Sequence, residues 1–109
     1  MKIIFKTKKL EKILNSERLI KKHYGKNAKK IMMRLSEINA VENLENLMTL
    51  PGRFHNLKGE RKNTFACDLK HPFRLIFEPS NDPIPTDDNN KIIYSKITEI
   101  KILEIKDYH

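Results

Sequence analysis

The residues with chemistry to offer fall in two places. His55, Lys58, Arg61 and Arg74 lie within the stretch from Leu50 to Glu78, and Asp107, Tyr108 and His109 close the chain. A histidine's ordinary pKa of ~6.5 suits it to take or give a proton near neutral pH, which makes His55 and His109 candidates for both roles. Asp107 suits a second base or the orienting of an imidazole. Arg74 and Lys58 are the right groups to hold a phosphate, Arg74 through two nitrogens at once. Tyr108 offers a ring for stacking, a contact worth ~1–3 kcal/mol per base. A base, an acid and fixed cations are what transfer at phosphorus requires, because the pentacoordinate transition state carries extra negative charge. Each residue also has a plainer reading. His55 and Lys58 fit turn positions, Arg74 fits an ion pair with Glu78 or Asp68, and the last three residues fit a frayed tail.

The elements that must position these residues are legible as alternation. Arg53 to Leu57 reads as a short strand, and residues 56–63 have the polarity and the glycine of a connecting loop. Phe65, Cys67 and Leu69 alternate with Ala66 and Asp68. Lys70-His71-Pro72 makes a turn, and Phe73, Leu75 and Phe77 then alternate with Arg74, Ile76 and Glu78. The two-residue period of a strand predicts that Arg74 emerges on the face opposite Leu75 and Phe77. Residues 79–90 form a loop without the spacing of a calcium-binding hand. Lys91 to Lys106 reads as one long strand with seven isoleucines and leucines on both parities, the mark of a central strand. It delivers Asp107, Tyr108 and His109 straight off a rigid element, so the tail is expected to meet His55 and Arg74.

Before Leu50 the pattern is helical. Lys2 to Lys6 is a short β-prone run. Thr7 and Ser16 are good N-caps for helical pieces carrying Leu10, Ile13 and Leu14, then Leu19, Ile20 and Tyr24, with Gly25 as the stop. One kinked helix and two separate helices both fit. Ala28, Ile31, Met32, Leu35 and Ile38 follow one helix face, and Lys29, Lys30 and Arg34 fall mostly off it. A short helix near residues 42–48 ends at Pro51-Gly52.

A chain of 109 residues has room for one domain, 1–109, around one core. The net charge of +8 is concentrated, since the first 34 residues hold twelve bases against Glu11 and Glu17. Such a field favours a polyanion. A solvated lysine face or an acidic protein partner would read the same. The lone Cys67 rules out an internal disulfide, fits a reducing compartment and sits where a small core residue belongs. There is no apolar leader and no run near the ~18 residues that span a bilayer, so a cytoplasmic protein without membrane contact is expected. His23 and His71 read as surface residues. Phosphate-loop, dinucleotide-binding, zinc and Ser/His/Asp signatures are missing, so neither metal nor cofactor is expected.

Pro51-x-x-x-His55-x-Leu57-Lys58-Gly59-x-Arg61, then Phe73-Arg74-Leu75-x-Phe77-Glu78, then Asp107-Tyr108-His109 is an ordered set. It resembles the HigB-like branch of the RelE/ParE toxin superfamily, the plasmid maintenance killer group, over essentially the whole chain. The resemblance implies an α+β fold with N-terminal helices packed on one face of a small, mainly antiparallel sheet. It implies a toxin of a type II toxin-antitoxin system, held in check by a HigA-like helix-turn-helix antitoxin, that cleaves mRNA on the ribosome without a metal. His55, Arg74, Asp107, Tyr108 and His109 are the catalytic positions so implied. Lys58, Arg61 and Lys62, with Lys29, Lys30 and Arg34 from the basic arm, would contact RNA. Asp107 and the terminal carboxylate would favour imidazolium at His109, leaving His55 as base. Two rivals stay open: a ParE-like gyrase inhibitor without chemistry, and a non-toxic binding module.

Overall fold

Alternation becomes a two-faced sheet in the computed structural model, which describes residues 1–59 and 63–108. The elements run β1 (Lys2–Phe5), α1 (Lys8–Leu14), α2 (Glu17–Tyr24), α3 (Ala28–Ala40), α4 (Leu44–Leu47), β2 (His55–Asn56), β3 (Phe65–Asp68), β4 (Phe73–Pro79) and β5 (Glu99–Asp107). The strands form one mixed sheet in the order β1-β5-β4-β3-β2. β1 runs parallel to β5 and the other three pairings are antiparallel. The chain is therefore an α+β protein.

Local signals set the helix ends. Thr7 and Ser16 accept from the backbone N–H of Leu10 and Leu19 at 3.1 and 3.2 Å, so the basic arm is two capped helices. Gly25, at φ +48, closes the second. α3 buries Ala28, Ile31 and Ile38 against Phe65, Leu75, Phe77, Ile100 and Ile102 of the sheet. Phe65 and Phe77 stack at 5.8 Å between centroids, with Tyr94 edge-on to Phe65 at 5.6 Å.

β5 departs from the sequence expectation in length and explains the doubled hydrophobic pattern. It starts at Glu99, not Lys91; residues 91–98 instead hold a bridge between Thr86 and Ile92 and a short 3-10 turn at Tyr94–Lys96. Register shifts once, with Ile76 opposite Glu104 and Phe77 opposite Ile102. Leu103 is the extra residue of a β-bulge, which flips the parity of the remainder of the strand. Ile100, Ile102 and Ile105 thereby share the helix-packed face although the last two are an odd three positions apart, and Leu103 turns to the other. The loop before β5 is pinned, because Asn81 Oδ1 accepts from the N–H groups of Thr98 and Glu99. No helix among the described residues is long and apolar enough to cross a membrane.

Candidate functional site

The face turned away from the helices carries the site. Directly paired residues of an antiparallel sheet share a face, so the register defines two adjacent rows. One is Asp68, Arg74 and Lys106; the other is His55, Ala66, Ile76 and Glu104. Arg74 therefore does emerge opposite Leu75 and Phe77. A second, smaller apolar cluster of Leu57, Ala66, Ile76 and Leu103 floors this face, and Tyr108 packs on it.

Contacts link the rows in series. His55 Nδ1 lies 2.5 Å from the Arg53 carbonyl. A carbonyl only accepts, so Nδ1 is the donor in this contact and Nε2 takes no part in it. Arg53 Nε in turn donates to Asp68 Oδ2 at 2.8 Å. Asp68 Oδ1 stands 3.6 Å from Arg74 Nε, an ion pair beyond hydrogen-bond length. The Arg74 guanidinium lies over the Tyr108 ring at 4.5 Å, and Lys106 Nζ lies 5.2 Å from the same ring. Tyr108 is itself anchored, its N–H donating to the Pro72 carbonyl at 3.0 Å. Its hydroxyl is buried with no hydrogen-bond partner among the described residues. A cavity of about 350 Å³ opens here, lined by Arg53, Asp68, His71, Phe73, Arg74 and Tyr108.

The tail thus meets Arg74, as expected, through Tyr108. His55 lies two strands and two residues away from Arg74, roughly 12 Å between Cα atoms at ordinary sheet spacings. Asp107 pairs with Phe73 and so has the parity of the helix-packed face. The Tyr108 ring is engaged by the apolar floor and by two cations, so it is a packed element here and not an open stacking platform. Lys58 is exposed in the turn beside Gly59, and Lys29 and Lys30 are exposed on α3. Arg61, Lys62 and His109 lie outside the described residues.

Arg34 needs correction as an RNA contact. Its side chain is only 5% exposed, because Nε donates to the Asp68 carbonyl at 2.8 Å and a terminal nitrogen pairs with Glu37 at 2.9 Å. Gly52 makes room for it: a Cβ there would stand 2.6 Å from Arg34 Cζ. Arg34 joins α3 to β3 and is spent on the fold.

Arg53 and Asp68 are the site residues that sequence reading placed least well. Asp68 was legible as one alternative partner of Arg74, and the 3.6 Å pair meets that reading. Arg53 gave no signal beyond its residue type, since its role depends on a left-handed backbone, φ +53. Cys67 is fully buried, and burial pushes its thiol up to about 12, which leaves no thiolate near neutral pH. Among the described residues no group of three His, Cys, Asp or Glu is placed to hold a metal ion. No family model matches the chain, and no curated protein or solved structure shows significant similarity to it.

Proposed function

We propose that this protein is the toxin of a type II toxin-antitoxin system, a cytoplasmic, metal-independent endoribonuclease that cuts mRNA on the ribosome. Within that reading it is a HigB-like member of the RelE/ParE superfamily with a helix-turn-helix antitoxin as its partner. One observation carries the proposal: a histidine whose Nδ1 is held by the Arg53 carbonyl and a guanidinium share one sheet face, joined through Arg53 and Asp68. A basic helical arm lies on the same chain to meet ribosomal RNA phosphates.

His55 Nε2 takes the proton from the 2′-hydroxyl of the substrate, whose oxygen attacks the adjacent phosphorus. Arg74 meets the charge that develops on the phosphorane oxygens. The P–O5′ bond breaks, the leaving oxygen gains a proton from His109, and the products are a 2′,3′-cyclic phosphate and a 5′-hydroxyl. Lys58 holds a neighbouring phosphate.

Mapping mRNA ends on translating ribosomes after induction tests this. Codon-phased cuts with 5′-hydroxyl ends are expected; growth arrest with intact mRNA overturns it. A binder without chemistry is the second reading, favoured by the engagement of Arg74 with Asp68 and Tyr108. Gyrase-linked DNA breaks on induction would select its ParE-like form.

A further inference from the structure

Asp68 lies between two guanidiniums on the open face of the sheet. It accepts a hydrogen bond from Arg53 and forms a longer pair with Arg74, at the edge of the cavity that both arginines line. Two arginines converging on one oxyanion is the arrangement that recognises a phosphate. A carboxylate in that position is the internal occupant of an anion site. We infer that Arg53 and Arg74 form a clamp for a phosphodiester of single-stranded RNA, and that Asp68 fills the clamp until RNA displaces it.

Three features support an occupant over a structural tie. The Asp68 pairs are weak ones, since the Arg53 side chain is 60% exposed and solvent screens it, while the Arg74 pair, at 3.6 Å, is longer than a hydrogen bond. The fold holds Asp68 by its backbone, through its N–H to the Gly52 carbonyl at 2.8 Å and its carbonyl to buried Arg34. The carboxylate is left over from both. Finally, Arg53 sits in the left-handed region, where glycine or asparagine is the inexpensive choice. Backbone strain of this kind is kept where a side chain must be aimed, and here it points the guanidinium at the cavity while the carbonyl holds His55.

The inference rests on the nuclease reading for its ligand, and its test is independent of cleavage. The probe is a short 2′-O-methyl RNA, which cannot be cut, with binding followed by fluorescence anisotropy. Asp68→Asn keeps both backbone bonds and should tighten binding about three- to tenfold, the scale of one exposed and one longer, partly exposed ion pair released. Glu45→Gln changes net charge equally at an exposed position of α4, outside the basic arm and the cavity, and should move affinity by less than about twofold, screening having removed most of its field. Arg53→Gly fits the left-handed backbone, so it should fold as well as the parent protein yet bind more weakly, about three- to tenfold. Unchanged or weaker binding in Asp68→Asn, no loss in Arg53→Gly, an equal gain in Glu45→Gln, or no binding by any form overturns the clamp. If the binding pattern holds while ribosomal mRNA stays intact, the nuclease reading fails and the clamp stands.

Discussion

Arg53 holds His55 with its backbone and Asp68 with its side chain: its carbonyl accepts from Nδ1 at 2.5 Å, and its Nε donates to Oδ2 at 2.8 Å. One residue thereby couples the two rows of the open face, and through Asp68 it reaches Arg74 and the Tyr108 ring. Side chains on three neighbouring strands are spaced by backbone geometry alone, so this coupling adds orientation.

If the nuclease reading holds, Arg74→Ala should lower cleavage by about 10²–10³-fold, the cost of one fixed donor at a developing anion. His55→Ala should lower it by about 10²–10⁴-fold. Both side chains are partly exposed, so stability should shift by no more than about 1 kcal/mol. Single-turnover cleavage alongside urea unfolding checks this. Retained toxicity in Arg74→Ala counts against the site.

Arg34 and its neighbours on α3 should part company. Arg34→Ala removes the bond to the Asp68 carbonyl and the pair with Glu37, at a cost of about 3 kcal/mol. Lys29→Ala and Lys30→Ala should leave stability within ~0.5 kcal/mol. Each should instead reduce the salt dependence of RNA binding by about one in log-log slope. Urea titrations and binding over roughly 50 to 200 mM salt separate the two behaviours.

Phe77→Ala should cost about 3–5 kcal/mol, since Phe77 is fully buried, stacked on Phe65 and sits at the register shift of β4 and β5. That is a large share of the ~5–15 kcal/mol of an ordinary domain. Thermal unfolding measures it; a loss below about 1 kcal/mol would mean the core is packed otherwise.

Alkaline stability should report Cys67. Its thiol ionises near 9.0 in the unfolded chain, and burial pushes it up to about 12 when folded. The unfolded chain therefore binds fewer protons between those values, and stability falls as pH rises through them. The slope approaches about 1.4 kcal/mol per pH unit. Cys67→Ala should lose that slope between about pH 9 and 10.5, while lysine and tyrosine contributions remain in both proteins. Equal slopes would show that the thiol is accessible, as would rapid reaction with a thiol reagent under native conditions.

Short-range signals set most of the local elements and the sidedness of the sheet, though not the split of α1 from α2 or the start of β5. Caps at Thr7 and Ser16, the stop at Gly25 and the alternation of Phe73 to Glu78 are short-range matters of hydrogen bonding and parity, and they set Arg74 on the face away from the core. Tertiary structure decided what depends on several strands at once. The bulge at Leu103 has no period of its own, yet it reassigns Ile105, Lys106 and Asp107 to their faces. Arg34 looked like its lysine neighbours because charge and helical spacing do not tell which gap in the core a guanidinium fills. Arg53 became legible only once Gly52 turned the chain and β3 brought Asp68 beside it, for an ion pair fifteen residues apart leaves no periodicity to read.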